Sequence, residues 1–319
     1  MIHSIHMRIL LLTAVLSFGF STSAQFASNF NSSRNWSLNK HELFFALGGT
    51  QFLGDLGGLN QVGSQKSIID LDWPATRAGL GVGYRFRFHP MWATSTQLYF
   101  GLLNGDDANT DEIIRRSRNL SFRSPIVELS QRIECIIFAN ERVGARYKIR
   151  GLKGKRPRAD VVYLFSGISG FYFNPQTQIN GNWTNLRPLK TEGQGLPDGA
   201  EEYGPVSLAI PFGVGFKLGI GNFWRLGMEL SYNKTFTDYL DDVSTNYYDP
   251  TVLAAQVGDD AVYAANPAIE NHSWFTAGQQ RGNPNDKDAY LFANIVLTRN
   301  ITYPKPRSSR IKWKGRTKF

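Results

Sequence analysis

Four stretches of the chain place ionisable side chains at even spacings: Arg85-x-Arg87, Glu128-x3-Arg132-x-Glu134, Lys217, and Arg225-x3-Glu229. In an extended strand, even spacing puts side chains on one face. Acids and bases gathered on one face can pass a proton or an ion along a polar path, or neutralise one another in a closed network. Catalysis has a poorer basis. Beyond residue 24 the histidines are His41, His89 and His272. Placed at a strand start, a turn and a loop, they do not bring a Ser and a carboxylate to one point, as a hydrolase triad requires. His272 beside Ser273 is the pair a lipid-modifying enzyme would have at hand, but no orienting partner is identifiable for it. The acidic pairs Asp106-Asp107, Asp241-Asp242 and Asp259-Asp260 have the oxygens Ca²⁺ prefers. None lies in a loop of regularly spaced ligands, so solvated loop residues or caps are expected. No catalytic residue, cofactor or metal site is therefore expected. Cys135, the single cysteine, falls on an apolar register and can form no internal disulfide.

The elements that must position the charges are strands. From Val206 to Leu218 every second residue is apolar, and the alternate row, which includes Lys217, is small or polar. After Ile220-Gly221-Asn222 the rhythm resumes with Trp224, Leu226, Met228, Leu230, Tyr232 and Phe236. A period of two signals a strand, and both exceed the roughly five or six residues usual in soluble sheets. They suit a bilayer, which a tilted strand crosses in roughly 9 to 11 residues. An Arg or Lys facing lipid at midplane costs about 2 to 4 kcal/mol, so Lys217, Arg225 and Glu229 are expected to face inward.

Six further stretches extend the pattern: Glu42 to Thr50, Ala75 to Phe88, Trp92 to Leu103, Leu120 to Phe138, Ala159 to Phe173 and Asp288 to Thr302. In the second, Arg85 and Arg87 share a row with Gly79, Gly81 and Gly83. In the fourth, Glu128, Arg132 and Glu134 oppose Val127, Leu129, Ile133, Cys135 and Ile137. Gln131 interrupts that apolar row, so a bulge or an end to lipid contact is expected near it. Val161 to Phe165 is too uniformly apolar to fix a face. In the last stretch Leu291, Ala293, Ile295 and Leu297 compete with Tyr290, Phe292 and Val296. The expected fold is all-β: an eight-stranded antiparallel transmembrane β-barrel over 42–302, with long extracellular loops at 51–74, 104–119, 174–204 and 238–287. Eight strands enclose a space wide enough only for their own side chains. Arg85, Arg87, Glu128, Arg132, Glu134, Lys217, Arg225 and Glu229 are thus expected to form a closed polar plug rather than line a pore.

Residues 1–24 read as a secretory signal peptide: Arg8, the apolar run Ile9 to Phe20, then Ser21-Thr22-Ser23-Ala24. A polar lead, 25–41, and a basic tail, 303–319, flank the barrel, and both termini are expected in the periplasm. Of the formal net charge of +9, residues 141–158 carry +7 and residues 303–319 another +7, leaving −5 for the remainder. Arg146, Lys148, Arg150, Lys153, Lys155, Arg156 and Arg158 in the first, with Arg310, Lys312, Lys314 and Arg316 in the second, are the expected contacts to anionic lipid or an acidic partner. Nucleic acid is excluded by location, and no small-molecule substrate is expected.

Several stretches carry a resemblance: Asn119 to Ser130 (NLSFRSPIVELS), Phe171 to Gln176 (FYFNPQ), Leu186 to Gly195 (LRPLKTEGQG), Leu208 to Gly213 (LAIPFG) and, most specifically, Lys234 to Thr245 (KTFTDYLDDVST). Together they resemble the PorG family of Bacteroidetes outer-membrane β-barrels, over Glu42 to Thr302. The resemblance implies a non-catalytic component of the type IX protein secretion system, seated in outer-membrane lipid and contacting the periplasmic ring, a lipoprotein and its partner. It carries over no functional residues. Two other functions fit the same fold: a lipid-modifying barrel enzyme, and a surface barrel binding an extracellular ligand through its loops.

Overall fold

The computed structural model describes residues 40–56, 73–110, 112–141, 159–220, 223–268 and 273–301. Its strands are β1 (His41–Leu53), β2 (Arg77–Arg87), β3 (Trp92–Asp106), β4 (Ser121–Glu141), β5 (Ala159–Phe173), β6 (Gln176–Ile179), β7 (Asn182–Asn185), β8 (Val206–Gly219), β9 (Trp224–Thr235) and β10 (Ala289–Ile301). Eight of them pair antiparallel in the cycle β1-β2-β3-β4-β5-β8-β9-β10, and β10 returns to β1 from Leu53↔Ala289 to His41↔Ile301. Every edge in that cycle is hydrogen-bonded, so the sheet is a closed barrel with no exposed ladder.

Strand pairing outruns the apolar rows. β3 continues to Asp106, opposite Ser121, through residues whose polarity reads as loop. Backbone pairing needs no apolar side chain once the strand has left the greasy band, and polarity alone therefore ends a strand too early. The stretch 174–204, read as loop throughout, holds the hairpin β6–β7. Its two-residue turn is Asn180 (φ 50°) and Gly181 (φ 83°), the residue pair that favours positive φ at both central positions. The hairpin joins the barrel edge-on at Arg123↔Gln176.

Gln131 does not mark a bulge. It faces outward in unbroken register, and its amide is satisfied on the outer face by Thr96, which donates to Oε1 (2.5 Å), and by Thr94, which accepts from Nε2 (2.6 Å). The register shift in β4 lies later, between Ile136 and Phe138. There Ile137 and Phe138 both face outward while Ile136 and Ala139 are buried.

Inside and outside are sharply sorted. Leu47, Leu80, Leu129, Ile168, Phe212, Met228 and Ile295 are each half or more exposed on the outer face. Near the short turns the girdle is aromatic, with Phe88, Trp92, Phe223 and Trp224 exposed. No described helix is long and apolar enough to cross a membrane; the apolar surface belongs to the strands. A continuous greasy band of this kind is far larger than water-soluble monomers tolerate and is satisfied by lipid. Inside, Phe44, Tyr99, Ile126, Phe171, Tyr290 and Phe292 form one buried cluster that continues into the loops through Leu186, Leu240, Val243 and Ala264. Inward glycines make the room: a Cβ on Gly83 would stand 2.2 Å from the Phe44 ring, and one on Gly213 would stand 2.1 Å from Phe165.

Met228→Arg places a cation on the lipid face of β9. It is expected to lower unfolding free energy in lipid vesicles by about 2 to 4 kcal/mol, measured by denaturant titration; an unchanged midpoint contradicts the assigned facing.

Candidate functional site: the charged interior and the loop cap

The inner row of six strands converges on one ionic cluster. Glu42, at the start of β1, is its hub. It takes Arg85 Nη1 from β2 at 3.1 Å and is also in contact with Lys217 of β8 and Arg225 of β9. Arg85 Nε reaches Glu134 of β4 at 2.6 Å, and Arg132 Nη1 reaches Glu229 of β9 at 2.5 Å. Tyr163 of β5 bridges the two halves, donating its hydroxyl to Glu229 (2.8 Å) and accepting from Arg85 Nη2 (3.1 Å). The same rings back the cations, with Arg85 4.8 Å from the Tyr163 ring centroid and Arg132 4.5 Å from that of Phe165.

Of the eight residues singled out by sequence, the structure brings Arg85, Arg132, Glu134, Lys217, Arg225 and Glu229 into this cluster. Glu128 is buried on the same row but accepts instead from the Tyr290 hydroxyl at 2.5 Å. Arg87 turns toward the short 88–91 connection and donates to the Pro90 carbonyl at 2.5 Å. Two members were missed. The alternation of β1 already sets Glu42 opposite Leu43, Phe45 and Leu47, so its signal was present. Tyr163 was hidden in the apolar run Val161 to Phe165, where the structure turns Val161, Tyr163 and Phe165 inward and Leu164 outward. In β10, Tyr290, Phe292, Asn294 and Val296 face inward and Ala293 and Ile295 outward.

The basic residues Arg146, Lys148, Arg150, Lys153, Lys155, Arg156, Arg158, Arg310, Lys312, Lys314 and Arg316 lie outside the described residues, as does His272. The attachment points of their two segments are described: β4 ends and β5 begins at Glu141↔Ala159, and β10 ends at Ile301 opposite His41, at the barrel end that carries the short turns. His41 lies 2.5 Å from the Tyr84 hydroxyl, and His89 accepts from the Met91 amide. Among the described residues no group of three or more His, Cys, Asp or Glu side chains is arranged as a ready metal cage.

At the opposite end the loops fold into a cap. The 107–120 connection carries α1 (Ile113–Arg118), and the 236–288 connection carries α2 (Pro250–Gln256) and α3 (Asp259–Ala265). Arg118 binds Asp107 through Nε and Nη2 (2.7 and 3.0 Å) and donates to the Asp55 and Arg281 carbonyls, tying three connections together. Arg281 in turn meets Glu192 at 2.9 Å, and Glu192 accepts from the Ser244 and Thr245 amides. Asp242, in the left-handed region at φ 64°, accepts from Thr191 (2.6 Å) and Tyr203 (2.5 Å). Burial pushes its carboxyl up to about 6, against the pull of Arg281 and of those two hydroxyls. A shallow cleft of about 350 Å³ opens on the cap between Arg187, Lys190, Gln194, Glu202 and Tyr203.

The family model described as "Domain of unknown function (DUF6089)" matches residues 26–251. No curated protein matches the chain. Among solved structures it is similar to Ail, the attachment invasion locus protein of Yersinia pestis, at 8% identity and a TM-score of 0.34, over 82% of this chain and 97% of that one. It is also similar to the N-terminal β-barrel domain of Pseudomonas aeruginosa OprF (9%, TM-score 0.32, 82% and 98%) and to Neisserial surface protein A (6%, TM-score 0.31, 82% and 97%).

The Asp242 carboxyl rises from 3.8 to about 6 on folding, so between those values the closed cap holds a proton that the open chain releases. Its contribution therefore weakens the cap as pH rises through that window, by roughly 3 kcal/mol in all. Asp242→Asn is expected to remove that share of the pH slope, measured by hydrogen exchange of residues 239–245; an identical slope in the variant contradicts the assignment.

Proposed function

This chain belongs to the DUF6089 family, and we propose that it is a non-catalytic outer-membrane barrel that anchors a type IX protein secretion machine by presenting a basic periplasmic side to the ring. The observation that carries the reading is the division of labour between the two barrel ends. The interior is filled by paired charges and aromatic rings, which leaves no conduit for a substrate. The cap end is tied down by Arg118 and Arg281. The other end bears the attachment points of both +7 segments, 141–158 and 303–319. Clustered cations at a membrane surface attract anionic lipid or steer an acidic protein, and the resemblance of Lys234 to Thr245 to PorG-family barrels supplies the ring, a lipoprotein and its partner, as that protein. With the 141–158 and 303–319 segments in the periplasm, the cap faces outward.

A second reading, a surface barrel that binds an extracellular ligand, is favoured by one feature, the cleft lined by Arg187 and Lys190 on the cap. The lipid-modifying enzyme would rest on His272 beside Ser273, and His272 lies outside the described residues.

Removing residues 303–319, or reversing the charges of Lys153, Lys155, Arg156 and Arg158, is expected to abolish co-purification with the ring proteins from detergent-solubilised outer membranes. Heat-modifiable gel mobility checks that the barrel stays folded. Undiminished recovery of the ring with both variants contradicts the docking role.

A further inference from the structure

One wall of the cleft on the cap is built by a single tight turn. Arg187–Leu189 form one turn of 3₁₀ helix, and Lys190 closes it in the left-handed region at φ 50°. Residues three apart eclipse one another in such a turn, so Arg187 and Lys190 line the cleft together. Lys190 meets Glu202 at 2.7 Å, with the Glu202 side chain 65% exposed. An ion pair this open to water contributes little and exchanges readily for a ligand. Arg187 is half-buried, and among the described residues no ion pair or side-chain hydrogen bond engages it.

Gln194 is the buried floor of the same cleft. Its Oε1 accepts from the Glu192 amide at 3.1 Å, which leaves Nε2 as the end free to donate, and that nitrogen is buried without a hydrogen-bond partner. A buried N–H left unmet costs free energy that a ligand oxygen recovers. The donor is also held in place. Glu192 is fixed by Arg281 and by the Ser244 and Thr245 amides, and Tyr203, beside Gln194 in the lining, is fixed by Asp242.

The lining selects a ligand class. Two cations and one carboxylate leave it a net charge of +1, which matches one negative charge on the ligand. Pro188 is the only wholly apolar side chain in it, and Tyr203 is already stacked with Tyr239 at 4.5 Å and Phe173 at 6.1 Å. Little remains for an apolar group to fill. Hydroxyls suit what is left, since Gln194 donates and Glu202 accepts. A volume of about 350 Å³ lies at the small end of ligand-sized clefts.

We propose that this cleft binds an acidic sugar, its carboxylate between Arg187 and Lys190 and its hydroxyls on Gln194 and Glu202. The proposal rests on the second reading above, a surface barrel that takes an extracellular ligand, and names the ligand's chemistry. Arg187 is the anchor, because a guanidinium meets a planar carboxylate through two parallel bonds.

The test uses the full-length protein in detergent micelles, titrated with D-glucuronate and followed by saturation-transfer NMR, with D-glucose and acetate as controls. Saturable binding of glucuronate is expected, with glucose and acetate each weaker by about tenfold or more. Arg187→Gln should weaken glucuronate by about tenfold or more, the loss of one charge-assisted contact, and Arg187→Lys should recover part of it. Heat-modifiable gel mobility checks folding, and the wild-type preference decides the matter even where a variant does not fold. Glucose or acetate bound as tightly as glucuronate, or unchanged binding by folded Arg187→Gln, overturns the proposal. An array of immobilised neutral and acidic glycans separates the two failures: retention on neutral glycans alone overturns the acidic-sugar assignment and leaves a ligand-binding cap, whereas retention on none overturns both.

Discussion

A sheet of eight strands closes on a space that side chains alone can fill, and every charge on its inner row has to find its partner there. Glu42 meets Arg85, Lys217 and Arg225, residues contributed by β2, β8 and β9. A slip of one residue in any of those strands would turn its charge into lipid and bring an apolar side chain inward. Pairing and register therefore reinforce one another. Removing one member of such a cluster leaves the others buried without compensation, a loss of about 3 to 5 kcal/mol in comparable sites. The cluster argues for one uniquely registered barrel more strongly than for net stability.

The same lack of space explains the glycine rows. Large inward rings such as Phe44, Phe165 and Tyr163 stand over Gly83, Gly213 and Gly215 on neighbouring strands, where a Cβ would fall within about 2.2 Å of ring carbons. Aromatic bulk and glycine alternate around the interior, so the cavity is occupied along its length. The upper cluster runs on into Leu186, Leu240 and Val243. The cap is thus an extension of the barrel core, and the loops are folded rather than merely long.

Much of this was legible in the sequence because a bilayer imposes a two-residue rhythm that few other environments do. Arg85, Arg132 and Glu229 announced their facing by the apolar residues around them. The rhythm failed in three places for identifiable reasons. Tyr163 sat among residues that are apolar on both faces. Gln131 broke the outer row, yet Thr94 and Thr96 on the adjacent strand satisfy it, and cross-strand partners are invisible to a single-strand pattern. The cap was read as loop because its order comes from long-range pairs such as Arg118 with Asp107 and Arg281 with Glu192, whose spacing follows no period. Asn180-Gly181 was a readable hairpin signal, obscured by the polarity of the residues flanking it.

The proposed role gives the work to the surfaces of a barrel whose interior is filled by its own side chains. On the proposed reading, a partner meets the barrel end where strands β4, β5 and β10 begin or end at Glu141, Ala159 and Ile301, while the folded cap closes the other end. The claim beneath all of this is that the inner row leaves no continuous water path. Refolded into planar lipid bilayers under an applied voltage, the protein should insert and show no discrete conductance steps. Reproducible ohmic channels from the properly folded, heat-modifiable species would mean that the charges line a pore, and the account would be wrong at its centre.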